Sequence, residues 1–262
     1  MNLKVAIAQI KIQDGNKEKN LDNALSILNF LKNQQIIPDI VCFPELFTTG
    51  YDLENLKMHA EEFPGETFHK IISISKNNFI VIGSIIESKN NKYFNTAFIL
   101  GKNGQLLGKY RKVHLFSPMF EKDFLTQGNS IGTFKILELK NIKIGLGICY
   151  DLRFPEIFRK MALNGAKLII LPSEFPIPKS EIWKTLIKAR AIENQIYMIG
   201  VNRVGKGRSN SFFGNSMVTN GNTHQILGST EEIRIFNLDL TSLKEIRGEL
   251  PLLNDRRKDL YD

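Results

Sequence analysis

The sequence is poor in the residues that form disulfides and metal centres. Its 262 residues include two cysteines, Cys42 and Cys149, and four histidines. Two thiols are too few for a disulfide framework, and a reducing cytosol would keep them free. The histidines are far apart and neither cysteine has a second one within four residues, so metal-ligand spacing is absent. We therefore predict no metal site and no disulfide-stapled fold.

Long apolar runs are also missing. The longest, FIVIGSII at residues 79–86, is far too short to cross a bilayer. The opening segment, MNLKVAIAQI, contains neither an apolar signal region nor a cleavage site of small residues. We therefore expect a cytoplasmic protein that has no membrane partner.

Basic residues are in excess but are not concentrated in any one segment. The formal net charge of +8 fits either a nucleic-acid surface or a preference for anionic small molecules. The lysines occur in short mixed runs such as NKEKN and KNNK, with no basic helix or basic tail. A solvated basic surface is the simpler interpretation, and we predict no nucleic-acid partner.

Two glycine-containing segments approach nucleotide-binding motifs without completing them. Residues 200–207 (GVNRVGKG) have the G-x-x-x-x-G-K spacing, but Gly207 stands where a serine or threonine would bind magnesium. A Gly/Ser/Asn-rich loop follows, instead of the helix that would supply amide donors. Residues 145–150 (GLGICY) place Tyr150 where a dinucleotide motif needs its third glycine. No cofactor is predicted.

Strand-like and helix-like segments alternate along the whole chain. Apolar residues recur at helical spacing in residues 16–35, and the pair Asn103-Gly104 between two strand-like runs predicts a hairpin. The pattern predicts one layered α/β domain, residues 1–262, with a mixed sheet. Further strands are expected at residues 3–10, 39–46, 79–88, 142–150, 166–174, 196–204, 214–220 and 232–240, and further helices at residues 64–77, 155–165 and 180–195.

One thiol stands at the end of an apolar strand-like run. Cys149 lies in residues 143–158 (KIGLGICYDLRFPEIF), where the run gives way to a polar segment. A nucleophile in a strand-to-helix turn is raised above the sheet edge, where the next backbone amide, that of Tyr150, can stabilise an oxyanion. A buried structural thiol is the alternative, and it is our interpretation of Cys42. The segment contains no histidine that could act as a base.

Two other segments supply charged candidates for this chemistry. Glu45 follows a strand and a proline in residues 43–51 (FPELFTTGY), and Lys112 follows the predicted hairpin in residues 110–116 (YRKVHLF). Taken singly, each is more simply a solvent-facing charge. Together with Cys149 they are chemically coherent, because a glutamate can act as general base and a lysine can favour the thiolate and stabilise an oxyanion.

These three segments, together with ARAIENQIYMIGVNRVG at residues 189–205, resemble the signature blocks of the nitrilase superfamily of carbon–nitrogen hydrolases. The resemblance covers essentially the whole chain. It implies an α-β-β-α sandwich and a catalytic triad of Glu45, Lys112 and Cys149, with Glu45 as the base and a thioester on the cysteine. It also implies that Glu121 positions Lys112 and the attacking water, whereas a solvated loop acid is the alternative for that residue.

Within the superfamily, the segments PELFTTGYDL, CYDLRFPE, ARAIENQ and RRKDLY are similar to those of the bacterial ω-amidase branch. This similarity implies hydrolysis of the terminal amide of a 2-oxo acid such as 2-oxoglutaramate or 2-oxosuccinamate. The alternative is an N-carbamoyl amino acid hydrolase or another aliphatic amidase using the same triad.

An anionic substrate needs a cation, and Arg153, one helical turn past Cys149, is placed to pair with a carboxylate. The alternative is structural, with Arg153 locked to Asp151 or to another loop. Tyr51 and Phe175 are expected to contact the substrate, with packing as the alternative for both.

The charged tail stands apart from the alternating pattern of strands and helices. Residues 245–262 are expected to form a C-terminal arm. Members of the superfamily pair through the helix that follows the cysteine segment, so the resemblance implies a homodimer with this arm as a candidate contact at its interface.

Overall fold

The computed structural model describes residues 1–261 and is built on β-strands that form two six-stranded sheets packed face to face. In chain order the strands are β1 (Asn2–Gln9), β2 (Ile40–Cys42), β3 (Ile80–Lys89), β4 (Lys92–Leu100), β5 (Leu106–Arg111), β6 (Gly132–Ile136), β7 (Ile142–Leu146), β8 (Leu168–Ser173), β9 (Tyr197–Asn202), β10 (Val204–Lys206), β11 (Ser211–Phe213), β12 (Met217–Thr219), β13 (His224–Ile226) and β14 (Glu232–Asp239). The first sheet has the order β14-β1-β2-β3-β4-β5 and the second has the order β13-β12-β9-β8-β7-β6, while β10 and β11 form a separate ribbon.

Eight helices accompany the sheets, and α1, α3, α5 and α6 cover their outer faces. In chain order the helices are α1 (Lys17–Lys32), α2 (Leu56–His59), α3 (Glu66–Ser75), α4 (Glu121–Phe124), α5 (Pro155–Leu163), α6 (Ser180–Asn194), α7 (Ser242–Glu249) and, ending the described residues, α8 (Lys258–Tyr261). Both sheets are mixed, because β1, β2 and β3 are parallel, as are β7, β8 and β9, while the outer strands pair antiparallel.

The first sheet is buried on both faces, and its side chains alternate between two cores. Leu3, Val5 and Ile7 of β1 pack against the second sheet, whereas Ala6 and Ala8 point the other way, toward α1 and α3. This follows from the period of two along a strand. Because both faces are apolar, β1 reads as a nearly continuous apolar run.

On the second sheet, α5 and α6 provide the outer layer. Ile157 and Met161 of α5, with Trp183 and Ile187 of α6, belong to the same apolar core as the strands beneath them. The order of layers is therefore helix, sheet, sheet, helix. The predicted α-β-β-α sandwich with mixed sheets is confirmed.

Most predicted elements are present, and the differences lie at strand ends, in short strands and in the unpredicted helices α2, α4, α7 and α8. The hairpin around Asn103-Gly104 joins β4 to β5, and Gly104 has the positive φ of 82° that such a turn needs. The short strands β6, β10, β11 and β13 were not predicted. Two predicted strands end early, because β2 stops at Cys42 and β7 stops at Leu146. This shortening moves two candidate catalytic residues off the strands and into the loops beyond them.

The first part of the predicted C-terminal arm is docked on its own chain. Arg247 of α7 donates from Nη2 to the carbonyl of Gln195 at 2.9 Å, and Gln195 Nε2 donates to the carbonyl of Leu250 at 2.6 Å. Beyond Leu250 the chain is largely exposed up to residue 261. Within residues 1–261 no helix has the length and apolar character needed to cross a membrane.

Candidate active site

Residues just beyond the ends of three strands meet in one buried cluster. Glu45 lies three residues after β2, Lys112 follows β5 directly, and Cys149 lies three residues after β7. Their fractional exposures are 0%, 1% and 6%, respectively. The structure therefore brings together the three side chains predicted from the sequence, and the solvent-facing alternatives for Glu45 and Lys112 are wrong.

The Lys112 ammonium is the centre of this cluster. Its Nζ donates to Glu45 Oε1 at 2.8 Å, to Glu121 Oε1 at 2.6 Å and to the Tyr51 hydroxyl at 3.3 Å. Burial acts to lower the pKa of Lys112, but the attraction of the two carboxylates outweighs burial and raises it above its ordinary value. Lys112 is therefore charged, and since its three N–H groups are all used, it acts on Cys149 through its field.

Glu45 is held as an acceptor on both of its oxygens. Oε1 accepts from Asn95 Nδ2 at 2.7 Å as well as from Lys112, and Oε2 accepts from the main-chain N–H of Glu174 at 2.9 Å. The charge of this carboxylate also acts on Cys149, where it raises the pKa of the thiol. A carboxylate that is fixed by its donors and acts on the thiol in this way suits a general base.

The main chain of Lys112 is fixed on both sides. Its amide donates to the carbonyl of Asn95 at 2.9 Å, and its carbonyl accepts from the amide of Gly128 at 2.9 Å. A Cβ on Gly128 would lie 2.1 Å from the carbonyl oxygen of Arg111, so only glycine permits this approach. Asn95 was missed by sequence reasoning, and its signal is a polar residue inside the apolar run YFNTAFIL.

Glu121, the first residue of α4, is fully buried, so the alternative of a solvated loop acid is wrong. Its Oε2 accepts from the amide of Phe116 at 2.6 Å, and its Oε1 accepts from Lys112 and from the Tyr51 hydroxyl, both at 2.6 Å. Burial raises the pKa of Glu121, and the nearby ammonium opposes this shift. Two carboxylates around one ammonium leave the cluster one negative charge, which favours the uptake of a proton.

Cys149 begins a 3₁₀ turn in place of the predicted strand end. Its φ of 42° lies in the left-handed region that non-glycine residues seldom adopt. The turn is anchored by Asp151, which accepts from the amide before Cys149 at 2.9 Å, from the Tyr110 hydroxyl at 2.8 Å and from His114 Nδ1 at 2.8 Å. The thiol is thereby held in one position relative to the charged cluster.

The resting thiol is protonated. Burial raises the pKa of Cys149 well above its ordinary value, and the Glu45 carboxylate raises it further. Lys112 and the main-chain amide of Glu174 lower it without compensating. Lys112 therefore favours the thiolate, as expected, but burial and the Glu45 carboxylate outweigh its attraction in the resting site. The proton has to leave as the sulfur attacks, and Glu45 is the acceptor beside it.

The thiol lies at a narrow cleft whose free volume is about 10 Å³, roughly the space of one water molecule. A substrate therefore has to displace side chains of the cleft wall on entry. The predicted contact residues Tyr150, Arg153 and Phe175 line this cleft, as do four residues that sequence reasoning missed, Phe116, Glu174, Pro176 and Lys179.

Arg153 is not locked in place by an acid. The carboxylate of Asp151 is engaged by other donors, and in the described residues 1–261 Arg153 has no ion pair. Its guanidinium lies 5.6 Å from the centre of the Phe175 ring. The first form of the structural alternative, Arg153 locked to Asp151, is wrong.

Tyr51 takes a position that neither of its two interpretations anticipated. Its hydroxyl lies 2.6 Å from Glu121 Oε1 and 2.9 Å from Glu45 Oε1, so it belongs to the charged cluster. Burial raises the pKa of Tyr51 well above its ordinary value, with the two carboxylates adding to the shift. The phenol therefore stays protonated and shares its proton with the carboxylates.

Glu174 is a second carboxylate close to the thiol. It directly follows β8 and is 1% exposed, with its Oε2 accepting from Arg203 Nη1 at 2.7 Å. Its Oε1 has no hydrogen-bond partner among residues 1–261. Burial raises the pKa of Glu174 to about 8, with Arg203 opposing the shift. The sequence signal was an acid at the end of the apolar run LIILPSE.

A cavity much roomier than the cleft does not contain the thiol. A space of about 500 Å³ has Tyr51 as one wall, but its lining includes neither Cys149 nor Lys112. The charged cluster and the nucleophile, not cavity size, locate the chemistry in the narrow cleft. Across the part of the chain that the structure describes, no three His, Cys, Asp or Glu side chains are arranged to hold a metal ion.

Comparisons with known proteins identify the family of this chain. The sequence profile of the family named carbon-nitrogen hydrolase matches residues 4–247. The chain is 36% identical over 265 residues to the 2-oxoglutaramate amidase of Bacillus subtilis (strain 168), with 100% of both chains covered. It is 32% identical over 273 residues to the omega-amidase NIT2 of Homo sapiens, with 99% of this chain and 97% of that protein covered.

A solved structure leads to the same conclusion. The crystal structure of Saccharomyces cerevisiae Nit3, described as a member of branch 10 of the nitrilase superfamily, superposes with a TM-score of 0.88 at 29% identity, covering 98% of this chain and 97% of that one. The fold, the profile and the full-length relatives confirm the resemblance seen in the sequence. This chain belongs to the carbon–nitrogen hydrolase family.

Proposed function

We propose that this enzyme hydrolyses the terminal carboxamide of a small anionic substrate, a 2-oxo acid ω-amide such as 2-oxoglutaramate or 2-oxosuccinamate, to the acid and ammonia. The observation that carries this proposal is the burial of the Cys149 thiol within the field of the Glu45 carboxylate, which is itself paired with Lys112 at 2.8 Å. Such a cluster provides a nucleophile, a base and a positive charge in one water-poor place.

In the first half of the reaction, the Cys149 sulfur attacks the amide carbon while Glu45 takes the thiol proton. The carbonyl electrons move onto oxygen, and the oxyanion is stabilised by the charge of Lys112 and by the main-chain N–H of Tyr150. When the carbonyl re-forms, the carbon–nitrogen bond breaks and the leaving nitrogen takes the proton from Glu45. Ammonia departs and a thioester remains on Cys149.

In the second half, the same carboxylate activates water. Glu45 takes a proton from the water molecule while its oxygen attacks the thioester carbon. The tetrahedral intermediate collapses, the carbon–sulfur bond breaks, and the sulfur regains the proton from Glu45. Glu121 and Tyr51 act on these steps by holding Lys112, since each bonds to its ammonium.

The substrate class follows from charge and from the relatives. Arg153 lines the cleft without an acidic partner, so a substrate carboxylate can pair with its guanidinium. Phe175 and Tyr150 provide apolar walls for the short carbon chain between carboxylate and amide. The names of the Bacillus subtilis and human relatives agree with a 2-oxo acid ω-amide as substrate.

The test is ammonia release by the purified protein from 2-oxoglutaramate, 2-oxosuccinamate and a panel of N-carbamoyl amino acids. We expect kcat/KM for the 2-oxo acid amides to exceed that for the N-carbamoyl compounds by at least about 100-fold, since each polar mismatch in a buried site is costly. Intact-protein mass after rapid quench should show an acyl adduct on Cys149. Higher turnover of an N-carbamoyl substrate would instead establish the alternative activity.

We further propose a single-domain homodimer that works in the cytoplasm. The mechanism needs a reduced thiol, which a reducing compartment maintains. Leu163 of α5 and Ile192 of α6 are 43% and 53% exposed on the outer helical layer, where a second copy would cover them. Residues 251–261, which are largely exposed, are the part of the proposed arm that would reach a partner subunit.

A further inference from the structure

Two positively charged side chains in the cleft of Cys149 have no acidic partner. Arg153 and Lys179 both line it and both are half-buried. In the described part of the chain, residues 1–261, neither side chain makes a hydrogen bond or an ion pair. Glu174, the acid in the cleft wall, is already bonded to Arg203 at 2.7 Å. Charges withdrawn from water without a counter-ion favour the binding of an anion.

Each of these cations rests on an aromatic ring of the same cleft. The Arg153 guanidinium carbon is 5.6 Å from the centre of the Phe175 ring, and Lys179 Nζ is 5.2 Å from the centre of the Phe116 ring. A ring face attracts a cation without consuming its directed hydrogen bonds, so the N–H groups stay available for a ligand. Arg153 ends the turn that Cys149 begins, whereas Lys179 immediately precedes α6.

We propose that Lys179 is a specificity residue, which donates to the 2-oxo oxygen of the substrate while Arg153 pairs with the neighbouring carboxylate. This inference rests on the proposed function. The division follows from shape, because the planar guanidinium matches the two oxygens of a carboxylate and the lysine ammonium is a point donor suited to a single oxygen. Together the two cations bind three acceptor oxygens at one end of the substrate.

The same pair of cations excludes amino acid amides. L-Glutamine has an ammonium group on the carbon that bears the oxo group in 2-oxoglutaramate. That ammonium would face Lys179 and Arg153 in a site of low dielectric, where like charges repel strongly. The cleft therefore distinguishes the amide of a 2-oxo acid from the amide of an amino acid through Lys179, its second cation.

The experiment compares 2-oxoglutaramate with glutaramate, which has the same chain and carboxylate but no oxo group, in the wild-type enzyme and in Lys179→Met. We expect the KM for 2-oxoglutaramate to rise about 10- to 100-fold, the effect of losing one charge-assisted hydrogen bond. The kcat should change little, since Lys179 does not contact the reacting atoms. With glutaramate, kcat/KM should change by less than about threefold, because the lost donor had no acceptor there.

Lys184→Met is the matched control, because Lys184 lies on the same helix and pairs with Glu181 at 2.9 Å outside the cleft. It should leave both substrates unaffected, and Lys179→Arg should recover most of the oxo preference. If the wild type hydrolyses 2-oxoglutaramate but Lys179→Met keeps the wild-type preference, or loses both substrates equally, this inference is wrong and the proposed function stands. If the wild type releases no ammonia from 2-oxoglutaramate, both fail.

Discussion

The two cysteines of this chain are buried to nearly the same degree, but only one of them has charged groups beside its thiol. Cys42 is 0% exposed and Cys149 is 6% exposed, and burial raises the pKa of both thiols. Burial is the whole cause for Cys42, which is the last residue of β2 and packs in the apolar core between the sheets. Cys149 lies three residues past the end of β7, beside Glu45 and Lys112.

This difference shows that burial alone makes a thiol inert, whereas burial beside a carboxylate makes its proton transferable. In the apolar core, the Cys42 proton has no acceptor. In the cleft, Glu45 disfavours the resting thiolate by its charge and at the same time offers the base that removes the proton during attack. The reactive cysteine is therefore recognised by what surrounds it and not by a low pKa at rest.

The largest expected effect comes from removing each thiol in turn. Cys149→Ala should lower kcat for ammonia release by at least about 10⁴-fold, since the nucleophile is lost, and should leave the protein folded. Cys42→Ala should keep wild-type turnover and cost about 1–2 kcal/mol in the free energy of unfolding, because it leaves a small void in the core. Steady-state assays and urea denaturation measure both. Retained turnover in Cys149→Ala would remove this residue as the nucleophile.

A smaller effect is expected for Glu45→Gln, in which loss of the catalytic base should make the Cys149 thiol more reactive toward an alkylating reagent. Removing the carboxylate charge should lower the pKa of Cys149, because Glu45 is the second-largest cause of its elevation after burial. The thiol should then react with iodoacetamide about 10-fold faster at neutral pH, although amide hydrolysis is lost with the base. Mass spectrometry of the alkylated protein between pH 6 and 9 measures the rate.

Cys42 is the internal control for that measurement. Its thiol should remain unlabelled in the folded wild type and in Glu45→Gln alike, because no charged neighbour changes. An unchanged or slower alkylation of Cys149 in the variant would mean that Glu45 does not raise its pKa.

The remaining effect concerns the pH dependence of stability, and it should distinguish the surroundings of Cys149 from those of Cys42. Glu174 has a folded pKa of about 8, well above the value near 4.3 in an unfolded chain. The unfolded state therefore loses this proton first, so the contribution to stability is complete below about pH 4 and is lost as the pH rises toward 8. Glu174→Gln should flatten the fall in unfolding free energy between pH 5 and 8, by at most about 1.4 kcal/mol per pH unit.

Urea denaturation at pH 5, 6, 7 and 8 measures this slope. Cys42→Ala should shift the curve without changing its pH dependence, because no titrating group contacts Cys42. A wild-type slope in Glu174→Gln would show that Glu174 ionises at the same pH in the folded and unfolded states.

Much of the site could be anticipated, and the failures have physical causes. Glu45, Lys112 and Cys149 were found because each belongs to a segment of recognisable pattern at a strand end, and Glu121 was found through the family resemblance. Lys179 and Phe116 gave no such signal, since a lysine before a helix is ordinarily solvated. The raised net pKa of Cys149 was not anticipated, because spacing along the chain does not report burial, and burial outweighs the attraction of Lys112.

Periodicity and turn chemistry along the chain were enough to specify the local elements, because such elements depend on neighbours in sequence. Examples are the apolar runs of the strands, the helical spacing in α1 and the Asn103-Gly104 turn. The order of residues also placed an acid, an amine and a thiol near strand ends. What no linear pattern could specify was which charges would share a dry pocket. That outcome depends on the packing of two sheets, because the strength of an electrostatic interaction is set by distance and by the exclusion of solvent in three dimensions. The packing brings Glu45, Lys112 and Glu121 together. It also leaves Arg153 and Lys179 without acidic partners in the described residues.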